Sequence, residues 1–197
     1  MQGGDFPPVV DARFCEIRWH GRGGQGAITS ANILAEAAYH AGFKGVTSAP
    51  SFGAERRGAP VTASTRLSAE PLRIFSQVEH PDIIVVLEDS LLVTARATAG
   101  MNPGGRVIVN SKRAPDQLPV PGGFLVAAAD ASGAAQELGL IVGGAPMVNT
   151  AMLGAVARAT GLIGLDDLEK AIRNAFSAKA AAKNFEAAKL TYERTRM

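Results

Sequence analysis

The fold expected of this chain is α/β: a mostly parallel, doubly wound (Rossmann-like) sheet with a short antiparallel insertion and C-terminal helices. Three observations lead there. Short, continuous apolar runs such as Ile83–Leu87 alternate with helical patterns, as buried parallel strands do. A glycine-rich loop, Gly21-Arg22-Gly23-Gly24-Gln25-Gly26, joins a strand pattern to a helix pattern. From Pro146 onward the pattern is helical throughout.

The elements follow in order. Residues 1–12 read as an N-terminal arm, because Gly3-Gly4 and Pro7-Pro8 disfavour regular structure; residues 13–197 read as one domain, helical from about 146. Phe14–Trp19 alternates, with Cys15, Ile17 and Trp19 on one side and Glu16 and Arg18 on the other, which predicts a strand with one wet or partner-facing side. Ala27–Ala41 is a helix with an apolar stripe through Ile28, Ala31, Leu34 and Ala38, and Gly42 suits its C-terminal end. Phe43–Ser48 is a short extended segment, and Ala49–Pro60 a proline-bracketed, charged loop. Val61–Leu67 and Leu72–Phe75 are read as strands of the insertion. Ser90–Ala99 is a helix, Arg106–Val109 and Phe124–Ala129 are buried strands, and Ser132–Leu138 is a short helix. Asn149–Thr160 is a helix ended by Gly161. A further helix, capped by Asp166 or Asp167, runs to about Ala178, and the last from Lys179 toward Glu193.

Composition narrows the function. Of 197 residues, 19% are charged, below the ~25% usual for soluble domains. Either the domain is simply alanine-rich and compact, or partners cover part of its surface. The net charge of +2 comes without a Lys/Arg run or basic–aromatic interleaving, so no nucleic-acid partner is expected. Cys15 is the single cysteine, which excludes an internal disulfide and a cysteine-ligated metal cluster and suits a reducing cytoplasm. No apolar run is long enough to span a bilayer, and no membrane association is expected.

The glycine loop fits two nucleotide-binding patterns and completes neither. It matches G-x-G-x-x-G, but Phe43–Ala54 lacks the acidic residue expected about 20 positions on to hold a ribose. It also fits G-x-x-x-x-G, but Ala27 and Ile28 stand where a phosphate-binding Lys and a Ser/Thr would be needed. What remains is an anion-friendly turn, to which Arg22 adds charge and Gln25 an amide. A phosphate-bearing ligand without an acidic clamp suits coenzyme A better than NAD. The plainer alternative is that the glycines only permit close strand–helix packing.

The loop sits among further motifs. "IRWHGRGGQG", "ANILAEAAYHAG", "SFGAERRGAP", "HPDIIVVLEDSLL", "GGRVIVN" and "NTAMLGAVARATGL" occur in that order. Together they resemble the gamma subunit, or gamma domain, of the 2-oxoacid:acceptor oxidoreductases: the pyruvate, 2-oxoisovalerate, 2-oxoglutarate, indolepyruvate and aryl-glyoxylate ferredoxin oxidoreductases. The resemblance spans roughly Phe14 to Glu193. It implies a complex that oxidatively decarboxylates a 2-oxoacid to CO2 and an acyl-CoA. It also implies thiamine diphosphate, magnesium and iron–sulfur clusters in alpha, beta and iron–sulfur (delta) partner subunits, with electrons passing to ferredoxin or another acceptor. This chain would help to bind and position coenzyme A. Its contacts would be the loop Gly21, Arg22, Gly23, Gly24, Gln25 and Gly26, with Arg22 and Gln25 meeting phosphate.

Further candidates carry competing readings. In Ser51–Gly58, Ser51 and Arg56 are candidate ligand contacts, unranked against Arg57; the alternative is an internal Glu55–Arg salt bridge. Asn110 ends a buried strand, where α/β ligands commonly lie, or is a turn residue. Asn149 either caps its helix or meets a phosphate or amide there. His20 packs beside the loop; His40 and His80 read as surface residues. Glu88 and Asp89 point to opposite faces and form no catalytic pair, with Asp89 a helix cap. No catalytic or metal-ligating residue is expected. Two alternatives stand: a purely structural assembly subunit, and an NAD-binding Rossmann dehydrogenase.

Overall fold

The computed structural model describes residues 14–50, 58–74 and 76–197. The N-terminal arm, Ser51, Arg56, Arg57 and Phe75 lie outside them.

Among the described residues, fifteen short stretches of regular structure build the fold, and one sheet organises it. Its strands are β1 (Phe14–Arg22), β2 (Gly45–Pro50), β3 (Pro60–Ser68), β4 (Ile83–Val86), β5 (Arg106–Asn110) and β6 (Leu125–Ala129), in the spatial order β2-β3-β1-β4-β5-β6. β1, β4, β5 and β6 run parallel, and β3 is antiparallel to both β1 and β2. The helices are α1 (Ala27–His40), α2 (Leu91–Thr94), α3 (Ala131–Glu137), α4 (Asn149–Thr160), α5 (Leu165–Ala175) and α6 (Ala178–Arg194). A 3₁₀ turn covers Pro115–Gln117, and β7 (Ile141–Val142) and β8 (Ala145–Pro146) form a two-stranded hairpin.

Alternation along the strands divides the core into two layers. Ile17, Trp19, Val85, Ile108, Ala127 and Ala129 pack under α1, α4, α5 and α6. Ile84, Val86, Val107, Val109 and Ala128 face the other way, under Leu91, Leu92, Ala97, Met101 and Leu118. Both faces of the central strands are therefore covered, as their continuous apolar sequence requires. The cover is unequal: α1, α3, α4, α5 and α6 on one side, short α2 and irregular segments on the other. A buried hydrogen-bond chain ties the first layer together, from Trp19 Nε1 to Thr65 Oγ1 and from Thr65 Oγ1 to the Ala31 carbonyl, each 3.1 Å.

Three sequence expectations need correction. Leu72–Ile74 is not a strand. After Ser68 the chain turns across the start of β2, so close that a Cβ on Gly45 would lie 2.3 Å from the Glu70 carbonyl. The antiparallel insertion is instead β3, between β2 and β1. The helix expected over Ser90–Ala99 stops at Thr94. Arg96 takes a left-handed φ of 45°, and Arg18 Nη2 donates to the carbonyls of Ala97 and Ala99, which fixes that segment in an irregular path. Finally, α5 begins after Gly164, with Asp166 and Asp167 inside its first turn rather than capping it. There the carboxylates still favour the positive end of the helix.

Candidate functional site

The C-terminal ends of β1, β4 and β5 open into a cleft of about 770 Å³. Arg22, Gly23, Gly24 and Gln25 line it, facing Leu87, Glu88 and Asn110, with Gly58, Ser132 and the β7–β8 hairpin through Val148 completing the wall. Ligands of parallel α/β sheets bind at such strand ends.

The loop is built by its glycines, and they do different work. A Cβ on Gly21 would come within 3.1 Å of Leu87 Cδ1 and 3.3 Å of Ala27 Cβ, so this position allows close strand–helix packing. Gly23 is bridged by backbone to the chain beyond it, with its N–H on Ala59 O at 2.9 Å and its carbonyl accepting from Gly58 N at 3.2 Å. Gly26 sits at φ 80° at the start of α1, and a Cβ there would lie 2.8 Å from Asn149 Nδ2. Gly24, at φ 96°, has nothing within 4 Å of such a Cβ and faces open space. The start of α1 has no side-chain cap and no acidic residue in its first turn. The positive end of α1 thus has no carboxylate of its own first turn beside it.

The loop's two polar side chains converge on Glu88. Arg22 Nε lies 2.9 and 3.0 Å from the two carboxylate oxygens, and Gln25 Nε2 donates to Oε2 at 2.9 Å. Ser90 Oγ donates to Oε1, and Arg22 also reaches Ser90 Oγ and the Gly58 carbonyl. Gln25 Oε1 accepts from Arg22 N at 2.8 Å, pinning the turn. Burial raises the Glu88 pKa, but the hydrogen bonds from Ser90, Arg22 and Gln25 outweigh it and hold the carboxyl below its ordinary range. Asp89 turns the other way, to Ser111 Oγ and Arg113. The two carboxylates have separate partners, as their neighbouring positions imply, but Asp89 makes no side-chain cap on α2.

Asn110 is at the cleft, with its amide engaged: Nδ2 donates to Leu87 O and Ser132 Oγ at 2.9 Å, and Oδ1 accepts from Ser132 N. It fastens the end of β4 to the start of α3. Asn149 is 4% exposed and does not cap α4, whose cap is Val148 without a side-chain bond. Instead it packs beneath Gly26 and lines a separate cavity of about 260 Å³ with Ile141, Phe176 and Asn184. His20 is 5% exposed and accepts from Arg18 Nε on Nε2 at 3.1 Å. Burial, with the neighbouring Arg18 charge, lowers its pKa to about 4. Burial raises the Cys15 thiol far above its ordinary value. His40 and His80 are exposed. Among the described residues, no cluster of His, Cys, Asp and Glu could hold a metal, and no helix is long and apolar enough to cross a membrane.

Sequence reasoning missed Glu88 as the partner of the loop, and the β7–β8 hairpin as a wall of the cleft. The signal for Glu88 was its place just past the apolar run of β4. Seeing it required knowing that β4 lies beside β1.

The profile of the pyruvate ferredoxin/flavodoxin oxidoreductases matches residues 16–194. The chain belongs to that family. It is a gamma subunit of a pyruvate/2-oxoacid ferredoxin oxidoreductase complex. It is 49% identical over 185 residues to the common gamma subunit of the pyruvate/ketoisovalerate oxidoreductases of Thermococcus kodakarensis, covering 91% of this chain and 96% of that one. It is 46% identical over 178 residues to the pyruvate synthase subunit PorC of Methanothermobacter thermautotrophicus, covering 90% and 94%. Among solved structures, the pyruvate oxidoreductase subunit PORC of Thermotoga maritima superposes with a TM-score of 0.78 at 34% identity, over 93% of this chain and 98% of that one. The 2-oxoglutarate:ferredoxin oxidoreductase of Magnetococcus marinus, solved with 2-oxoglutarate, coenzyme A and succinyl-CoA bound, shares the fold at a TM-score of 0.70 and 22% identity. That match covers 92% of this chain and 31% of that one.

Proposed function

We propose that this chain binds coenzyme A in the cleft above its glycine loop and holds it for acyl transfer in the assembled complex. The cofactor's phosphates would lie over Gly24 and the start of α1, with its thiol directed toward an acyl group produced in a partner subunit. Thiamine diphosphate, magnesium and iron–sulfur clusters would belong to alpha, beta and delta type partners, which pass electrons to ferredoxin or another acceptor in the cytoplasm. This chain would contribute no catalytic side chain. Holding two reactants in register lowers a barrier without one.

The observation that carries this reading is the cleft itself, about 770 Å³, with Gly24 open to it and the α1 terminus bare of acid. Coenzyme A bound to the Magnetococcus marinus relative of the same fold is consistent with it. The structural-subunit alternative draws support from the packing roles of Gly21, Gly23 and Gly26. NAD is disfavoured, because β2 and β3 carry no carboxylate and Glu88 is already engaged by the loop. Ser51 and Arg56 remain candidate contacts of the same ligand, outside the described residues.

A valine at Gly24 separates the readings. Valine there puts bulk into open cleft space and also strains a residue at φ 96°, so Gly24→Val should raise the coenzyme A half-saturation of the assembled complex roughly tenfold, a loss of ~1.4 kcal/mol, with assembly checked by co-elution of the subunits. An unchanged half-saturation would favour the structural alternative.

A further inference from the structure

Three donor side chains meet one carboxylate at the lip of the cleft. Arg22 Nε, Gln25 Nε2 and Ser90 Oγ all donate to Glu88, and Arg22 does so to both oxygens. Arg22 and Gln25 are also the loop's only side chains equipped to hold an anion. A guanidinium and an amide directed at paired oxygens is the donor set that a phosphate group takes. Here that set is filled by the chain's own carboxylate.

The pair is not locked in by burial. The Arg22 and Glu88 side chains retain 30% and 35% of their exposure, and both line the cleft. An ion pair so open contributes little net stability, and neither partner would be stranded in the core by its separation. The contrast within the molecule is Arg66 with Glu16, at 2.6 Å and 4% and 19% exposure, which is placed to stay closed. Glu88 has the chemistry of an occupant rather than of a foundation.

We propose that Glu88 is an internal anion that holds the place of a ligand diphosphate on Arg22 and Gln25 and is displaced when that diphosphate enters. The proposal rests on the reading of the cleft as a coenzyme A site, and it adds selectivity to it. A free monocarboxylate would exchange with Glu88 charge for charge, but Glu88 is tethered, with an effective concentration on the order of millimolar or more. The small carboxylate therefore loses. A diphosphate brings more charge and more acceptor oxygens to the same donors and wins the exchange. The loop would thus exclude the small 2-oxoacids on which the family acts and admit the phosphate-bearing partner.

The test uses the full chain with two simple probes, inorganic pyrophosphate and acetate, read by calorimetric titration and by thermal unfolding. The wild-type chain should bind pyrophosphate and show no acetate-dependent change in Tm. Glu88→Ala should bind pyrophosphate roughly tenfold tighter, the scale of a charged hydrogen bond no longer broken on binding. The same variant should gain an acetate-dependent rise in Tm, because acetate fills the vacated place. Adding Arg22→Ala to that variant should abolish both gains, which a general loss of negative charge from the cleft would not predict. Should Glu88→Ala not fold, Glu88→Gln provides the same comparison, with pyrophosphate tightened and the acetate response smaller. Weaker pyrophosphate binding in either variant would overturn the proposal and make Glu88 a ligand contact. Unchanged binding, or gains that survive Arg22→Ala, would reduce it to a surface ion pair. Absence of pyrophosphate binding in every form would also overturn it. Failure of coenzyme A to protect the loop in the complex would count against the coenzyme A reading alone, since pyrophosphate and acetate report on Arg22 independently of it.

Discussion

His20 shows how one residue couples the site to the stability of the sheet. It lies in β1 directly before the glycine loop, is almost wholly buried and is held neutral, with its pKa lowered to about 4. In the unfolded chain it titrates near its ordinary value of ~6.5. Between those values the unfolded state binds the extra proton, so stability rises with pH across that window. His20 therefore contributes its full share above pH ~6.5 and loses it progressively as pH falls toward 4, by up to roughly 3 kcal/mol. Urea unfolding at pH 7 and pH 5 checks this. His20→Gln, which retains an acceptor for Arg18, should flatten the dependence, and an unaltered slope in that variant would assign the loss to other groups. Glu88 and Asp89, both held below their ordinary range, act in the same direction but lower on the pH scale. The burial of His20 was readable from its place beside the loop. Its partner Arg18 was not, because the two share a strand face whose cover comes from the distant 95–99 segment.

At the scale of elements, α4 and α6 depend on a contact that helix propensity would misjudge. A Cβ on Gly154 would lie 1.8 Å from the Ala188 carbonyl of α6, so the two backbones touch there. On propensity alone, Gly154→Ala in a helix interior gains up to ~1 kcal/mol. Overlap with backbone cannot be relieved by a rotamer change and costs ~1–3 kcal/mol or more. The overlap wins, and Gly154→Ala should lower the urea midpoint; a raised midpoint would mean that the helices separate freely. The helical character of this region was legible because Met152, Leu153 and Val156 recur on one face, but its closest contact was not, since a glycine there leaves no periodic mark. The same contrast holds elsewhere. The β4 run was readable because burial on both faces forces a continuous apolar sequence. The early end of α2 was not, because Arg96 and the reach of Arg18 decide it through tertiary contacts.

For the whole molecule, order along the chain and order in the sheet diverge at one point, and the cleft forms there. β1 stands between antiparallel β3 and parallel β4, which brings the loop at the end of one strand against the carboxylate just past the other. Residues 66 positions apart thus make the candidate site, and no motif in the sequence joins them. The motifs did place the glycine loop, the α1 terminus and Asn110 at the strand ends; Asn149, expected at a helix start, packs against Gly26 of the loop and lines a second cavity. The central claim is that this cleft holds coenzyme A in the assembled complex. Hydrogen exchange at residues 22–26 and 142–148, measured with and without saturating coenzyme A, tests it most directly. Slowed exchange in both segments, needing roughly tenfold more coenzyme A in Gly24→Val, is the predicted result. Exchange unaltered by coenzyme A that is bound elsewhere in the complex would contradict it.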